Sequence, residues 1–508
     1  MATLYHNVRA VLRGEAADHF SLGHYLREHL LARPWLLLWL LLLTYITVRV
    51  VMSQLADAPL TTLVVLLVWG VSVVATAAAE LTRRHSPATL WLSHNLYNSL
   101  PNALLTLLLV LVLLGLGRGF FGWAVTRASF TTDPDAAKAQ LAAHEEPGAN
   151  WGAVGDNFRN LMVFRFPREE DWRLWTLLAW LAVLAAASGF VYGRAVFRRS
   201  PLRRGLTLLW LLTPVLSFVL LVGLGGEGSF LPRLNPDIAW GGLLLTLIIA
   251  VFGILASFPL GLVLALGRRS RVQGVPAWLV WAASLALLAW LLVTQSLPGL
   301  RAATTTGGRI VALWPLLLLP AALLITRAFR GNLVALLSTA YIEVIRGVPL
   351  ITILFMSIII FPFLLPPGME ILGTWRVMAA VALFSAAYLA ENVRGGLQSI
   401  PRGQYEAADA LGLSTFAKYR IIILPQALRA VIPAIVGQFI ALDKDTTLVG
   451  IVALIELLGV ANLISAQPDW LSVRREPYVF IALIYFTINM LMATYSRRLE
   501  RQLGVGER

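Results

Sequence analysis

An all-α protein threaded many times through a membrane is the fold class this sequence predicts, and three observations carry the prediction. Of 508 residues, 58% are hydrophobic and 13% charged, with a mean hydropathy of +0.75, whereas a soluble domain is about a quarter charged. The apolar residues gather into Leu/Ala-rich runs of about 17–25 residues, the length that crosses a bilayer as a helix. The runs do not alternate with period two, and in hydrocarbon a backbone satisfies its polar groups only as helices or as a closed barrel, so helices follow.

The runs lie near 35–53, 61–80, 101–117, 174–192, 206–224, 238–266, 277–297, 310–326, 348–366, 376–393, 428–455 and 478–496, about twelve spans. Pro298-Gly299 and Pro366-Pro367-Gly368 read as turns between them. Counting the outermost two residues at each end of a run with the adjoining loop, the segments from the first to the last hold 4, 0, 2, 7, 5, 1, 3, 2, 3, 1, 5, 2 and 4 Lys or Arg. The alternation is that of cytoplasmic loops enriched in positive charge, and it puts both termini inside. The exception, seven in segment 118–173, falls in a long loop where the charge rule is weak. The first run lies behind more than thirty residues without a small-residue cleavage cue, and reads as a retained span.

Several chemistries are excluded. There is no Cys, so no disulfide framework or thiolate site, and the seven His show no metal-ligand pairing. No metal is expected. The net charge of +14 is explained by loop arginines rather than by nucleic acid. No G-x-x-x-x-G-K-[ST] loop and no G-x-S-x-G motif occurs, so the chain is expected to hydrolyse nothing itself and to carry no cofactor.

The polar stretch 394–427 falls on the inner side, and within it 404–425 reads QYEAADALGLSTFAKYRIIILP. Gln404 to Leu411 are good helix formers, rich in Ala, so a partner surface can approach closely. Gly412 can take the left-handed conformation that ends a helix. Ser414 can cap a second helix, which Pro425 then separates from the next span. Glu406 and Asp409 lie on one side of the first arm.

The spacing of Glu406-Ala407-Ala408, Gly412, Ile422 and Leu424-Pro425 resembles the EAA loop of ATP-binding-cassette importer permeases. The stretches Tyr388 to Gly396, Ile400 to Gln404, Pro425 to Leu428 and Gln438 to Leu448, with Gly242 to Leu247 and Tyr341 to Leu350 upstream, resemble the polar-amino-acid branch. Within it, the long N-terminal extension most resembles permeases of general L-amino-acid uptake. The resemblance is strong over about 240–271 and 341–498 and weak before 238. It implies a type I permease core at 238–498 after an N-terminal membrane extension, 1–237, of about five spans, and before a cytoplasmic tail, 499–508. It also implies two ATPase subunits carrying ATP and magnesium, a second permease (homologous or identical) and an extracytoplasmic amino-acid-binding protein. The setting is the bacterial inner membrane. Gln404, Glu406, Ala407, Ala408, Gly412, Leu424 and Pro425 become the ATPase-coupling residues.

Two departures from the pattern stand out. About sixty residues separate the basic turn Arg268-Arg269-Ser270-Arg271 from Tyr341, where relatives have a few, so a two-helix insertion occupies about 272–335. Asp443 stands beside Lys444 and Asp445 where relatives often have an apolar residue.

Charges at membrane depth are costly and point to function. Glu391 and Arg394, and Glu343 and Arg346, are each one helical turn apart and read as interfacial ion pairs, with Glu391 also a substrate-path candidate. Asp443, Lys444 and Asp445 either neutralise one another or meet a zwitterionic amino acid, with Gln438 and Thr446 adding hydrogen bonds on the same path. In the outward loop, Trp123, Trp151, Trp172 and Trp175 read as interface anchors, and the loop itself either as that or as a surface for the binding protein. Asn157 to Phe166 reads as a short amphipathic helix. The alternative function is an ion-coupled secondary transporter, which twelve spans also suit, but no internal repeat appears across the halves.

Overall fold

The computed structural model describes residues 59–82, 86–96, 98, 100–194, 200–226, 228–270, 274–330, 332–366, 368–471 and 473–503, with isolated positions between 41 and 49. The candidate span near 35–53 lies almost wholly outside them. The described residues are helical throughout, without strands, apart from three isolated bridges. Contacts divide the chain into two units, 1–130 with 135–150, and 131–134 with 151–508.

The first unit holds α1 (Pro59–Thr82) and α2 (Leu100–Phe121). Its loop is tied by the Arg127–Glu146 ion pair at 2.8 Å and by Ser129, whose N–H donates to Ala149 O and whose Oγ donates to Gln140.

The second unit carries α3 (Asp171–Tyr192), α4 (Pro201–Val222), α5 (Gly242–Arg268), α6 (Ala277–Leu291), α7 (Leu333–Gly347), α8 (Gly373–Ser399), α9 (Arg402–Ala410), α10 (Leu424–Asp445), α11 (Leu457–Ile464) and α12 (Arg475–Leu503). Helices α3 and α4 thus pack with the core, although the resemblance begins only near 238. A fully buried Arg173 explains part of this: its guanidinium donates to Glu170 and to the carbonyls of Leu220 and Pro232, joining α3 to the end of α4 and the following loop. Trp240 Nε1 donates to Leu221 O, and Leu221 and Val222 enter the main core beside Leu245 and Ile249 of α5.

The centre of the unit is the α5–α8 contact. Gly253, Ser257, Gly261 and Ala265, spaced by four, form a buried stripe of small residues on α5, while Val251, Leu255 and Val263 on its other face are exposed. Small residues let two backbones approach in a medium where hydrophobicity alone does not drive helices together. At Gly261 an added Cβ would lie 2.6 Å from Leu389 Cδ2 and 2.9 Å from Ala386 O of α8. Asp237 caps the start of α8 from 136 residues away, accepting from the N–H groups of Gly373 and Thr374 at 2.8 and 2.7 Å.

Eight helices among the described residues are long and apolar enough to span, or up to ten if each bent pair is one span. These ten match the expected runs from 101–117 onward. The expected run 61–80 is α1, of which Gly70–Ala79 is the apolar stretch counted. The turn expected at Pro298-Gly299 is instead helix, Leu297–Ala302, and two expectations about spans are adjusted. The runs leave 327–347 as loop, whereas Leu333–Gly347 is α7, which meets Leu350–Leu364 at 106°. The reason is local: Gly347 ends α7, and Pro349, without an N–H, starts the next helix. Secondly, the span expected from 428 is part of an unbroken helical path, Thr415–Val452.

Candidate functional site: the polar loop and the charges around it

The loop is a helical hairpin. Helix α9 ends in the turn expected at Gly412, whose φ is +68°. Gly412 N–H donates to Asp409 O at 2.9 Å and Leu413 N–H to Ala408 O at 3.2 Å, the paired bonds of a Schellman cap. Ser414 Oγ then accepts from Ala417 N–H, as expected of a cap for the second arm. Pro425, expected to separate that arm from the span, does not. Lys418–Ile423 is a π-turn in which Leu424 N–H reaches back five residues to Tyr419 O. The wider turn admits the proline ring that an α-helical register would exclude, so the arm continues into α10 without a break.

The seven coupling candidates occupy this hairpin in distinct ways. Gln404, Glu406, Ala407, Gly412 and Pro425 are exposed, Leu424 is half-buried, and Ala408 is fully buried. Gln404 Oε1 accepts from Gln426 Nε2 at 3.2 Å, closing the two arms. Asp409 pairs with Lys418, so of the two acids on the first arm only Glu406 is uncommitted. Two apolar side chains that the sequence reading passed over, Leu411 and Phe416, are 75% and 72% exposed at the hairpin tip. Solvating such side chains side by side is unfavourable, which suits a surface covered by a partner.

Behind the hairpin, Tyr405 Oη donates to Leu397 O of α8, and its ring lies under the Arg269 guanidinium, 6.0 Å away. The adjacent Arg268 enters a charge network. Glu391 of α8 receives Arg394 from its own helix, Arg268 from α5 at 3.4 Å and Arg346 from α7 at 3.7 Å, while Arg268 also binds Glu343 at 2.8 Å. The expected Glu391–Arg394 pair is present, but Glu343 pairs with Arg268 rather than with Arg346. Three arginines around one carboxylate make Glu391 a junction of α5, α7 and α8.

The remaining path candidates lie on α10 and the turn after it. Gln438 and Asp445 are half-buried and Lys444 is exposed, whereas Asp443 is 2% exposed and Thr446 fully buried. No ion pair joins Lys444 to either aspartate among the described residues, because successive helical residues point about 100° apart. Asp443 instead turns toward Asn489 of α12, whose Nδ2 donates to Asp443 Oδ2 at 3.2 Å. Thr446 Oγ1 donates to Asp443 O. Neither Asp443 nor Thr446 presents a surface to a path.

A buried acid that the sequence reading missed sits in the turn between two spans. Glu456, 1% exposed, caps α11, accepting from Leu458 and Gly459 N–H at 2.8 and 2.9 Å and from Tyr485 Oη at 3.4 Å. Burial pushes its carboxyl up to about 7, against the opposing pull of those donors. An acid whose folded value is raised contributes stability that is full below its unfolded value, about 4.3, and is lost as pH rises through the folded one. The melting temperature of the wild type relative to Glu456→Gln is therefore expected to rise as pH falls from about 8 to about 5. A pH-independent difference in detergent melting curves would remove this acid from the account.

The outward loop adds a clasp at the far end of the core. Expected as one amphipathic helix, Asn157 to Phe166 forms the shorter helix Phe158–Val163. Asn157 and Gln467 exchange side-chain hydrogen bonds at 3.1 and 3.0 Å, and Trp470 Nε1 donates to Asp156 at 2.9 Å. Gly242, at φ +58°, approaches Leu161 O so closely that a Cβ would lie 2.5 Å from it. Of the tryptophans expected as anchors, Trp175 is 70% exposed on α3, and Trp172 stacks at 4.9 Å on Phe230. Among the described residues no cluster of acids and histidines could hold a metal ion.

Comparison with known proteins places this geometry. Residues 318–505 match the family model of the binding-protein-dependent transport system inner membrane component. The chain is 32% identical over 424 residues to the inner membrane amino-acid ABC transporter permease protein YhdY of Escherichia coli, covering 83% of this chain and 94% of that one. It is 35% identical over 428 residues to the glutamate/glutamine/aspartate/asparagine transport system permease protein BztC of Rhodobacter capsulatus, covering 81% and 93%. A shorter relative, the probable glutamine ABC transporter permease protein GlnP of Bacillus subtilis, is 39% identical over 31% of this chain and 72% of its own length. An alignment of 424 residues cannot fit after residue 238 alone, so likeness reaches well into the N-terminal part, which the sequence reading had left weak. The chain belongs to the inner membrane component family of binding-protein-dependent transport systems, among its amino-acid ABC transporter permeases.

Proposed function

We propose that this chain is the permease subunit of an ATP-driven importer of polar amino acids, coupled to its ATPases through the hairpin 404–425. The observation that carries the reading is the hairpin itself. An exposed tip of Glu406, Leu411 and Phe416 is held by a Schellman cap and runs through its second arm, without a break, into a span. A partner that grips the tip therefore grips the span. Two ATPase subunits bind ATP and magnesium, and this chain hydrolyses none. It pairs with a second permease, homologous or identical, and an extracytoplasmic binding protein delivers substrate at the end opposite the hairpin. Both termini lie in the cytoplasm of a bacterial cell. Closure of the ATPases draws the hairpins together and opens the path outward; hydrolysis reverses it.

Gln438, Lys444 and Asp445 line the path in this reading, since each carries exposed surface on the helix that follows the hairpin. Glu391 acts from behind, as the junction that keeps α5, α7 and α8 together.

The test is co-purification from native membranes through a C-terminal tag. A P-loop ATPase is expected with the wild type and is expected to be lost with Glu406→Arg at equal expression. If neither form brings down an ATPase while the chain is folded, the hairpin is a plain interfacial element and the ion-coupled transporter takes precedence.

A further inference from the structure

The contact between Asp443 of α10 and Asn489 of α12 is half-made. Asn489 Nδ2 donates to Asp443 Oδ2 at 3.2 Å. The other oxygen of each group, Asp443 Oδ1 and Asn489 Oδ1, is buried without a hydrogen-bond partner. Two acceptors thus stand donorless on one amide–carboxyl pair. In a membrane interior an unsatisfied polar group is costly and an unpaired carboxylate more so, and such an arrangement needs a donor.

One hydrogen atom supplies it. We infer that Asp443 is a neutral carboxylic acid in the folded chain, its hydroxyl donating to Asn489 Oδ1 while Asn489 Nδ2 donates to the acid carbonyl. The pair is then a cyclic, doubly hydrogen-bonded clamp with no net charge, and it is a proton-binding site. Its position gives it a task, since it fastens the far end of the helix that begins at the hairpin to the last span.

The surroundings agree. No cation lies within ion-pair distance of Asp443 among the described residues. Lys444 is exposed, Asp445 is half-buried, and across from them stand Glu456 and Tyr485, whose hydroxyl is engaged by Glu456. Leu442, the residue before Asp443, packs against Gly253 of α5 with Val381 of α8 beside it. Burial also argues against a substrate ammonium as the donor, because Asp443 is 2% exposed.

The inference does not depend on the importer reading, and its test reads the proton directly. In infrared spectra of the purified protein at neutral pH, a protonated-carboxyl stretch is expected that shifts in heavy water. It should persist in a Glu456→Gln, Asp445→Asn background and disappear on adding Asp443→Asn. Because asparagine at 443 can form the same cyclic pair with Asn489, Asp443→Asn should express and take up amino acid within about twofold of wild type. It should also remove an alkaline loss of thermal stability that the wild type shows. No such band in the Glu456→Gln, Asp445→Asn background overturns the proposal, whether or not Asp443→Asn accumulates. So does a tenfold loss of uptake by a normally expressed Asp443→Asn, which would mean that the negative charge itself is required.

Discussion

Replacing Gly412 with valine is expected to abolish ATP-dependent uptake while leaving the chain inserted in the membrane. Gly412 sits at φ +68°, and a Cβ built there meets nothing within 4 Å, so the penalty is conformational rather than a clash. A left-handed residue with a side chain costs about 1–2 kcal/mol, and a β-branched one more. The spans rest on packing elsewhere and do not notice this. The hairpin does, because its two Schellman bonds and the placement of Leu411 and Phe416 depend on that one residue. Gly412→Asn, which tolerates the left-handed region, should recover most of the uptake. Transport into membrane vesicles, with expression and ATPase recovery measured together, makes the check. Wild-type uptake by the valine variant would mean that the cap is not needed for coupling.

The second large effect lies in the α5–α8 contact. Gly261→Val is expected to prevent accumulation of folded protein. The new Cβ would lie 2.9 Å from Ala386 O, a backbone atom that cannot swing aside, and 3.0 Å from Leu389 Cβ. Overpacking of this kind costs about 1–3 kcal/mol even where side chains can yield, and here the neighbours are the backbone and the root of a side chain. Gly189→Ala on α3, where nothing lies within 4 Å, is the control and should behave as wild type. Monodispersity on size exclusion and the melting temperature in detergent separate the two variants. If Gly261→Val is as stable as the control, the small-residue stripe is not what sets the helix separation.

Much of this was legible in the sequence, for identifiable reasons. Spans announce themselves by length and apolarity. The hairpin announces itself because a glycine C-cap and a serine N-cap are local devices, and residues 404–425 contain both. What stayed hidden is what depends on register between distant helices. Glu343 and Arg346 have the spacing of an ion pair, yet Arg268, seventy-five positions upstream of Glu343, takes the acid because α5 ends beside α7. Asp443, Lys444 and Asp445 are consecutive, but their side chains leave the helix in different directions, so their order along the chain does not say that one turns toward Asn489. Glu456 carries no local mark of burial, because the residues that bury it, Tyr485 of α12 and the start of α5 at Gly242, are distant along the chain. Pro425 looked like a break because a π-turn leaves no mark that periodicity can detect.

That unbroken passage through Pro425 makes a lever of Thr415–Val452. Thirty-eight residues at about 1.5 Å each give a rod of roughly 55 Å. A tilt of about 5° imposed at the hairpin then displaces the opposite tip by roughly 5 Å, about half the diameter of a helix. Such a rod amplifies small movements of whatever holds its handle. In the proposed importer, the admission of an amino acid at the far end is governed by an angle set at the near one.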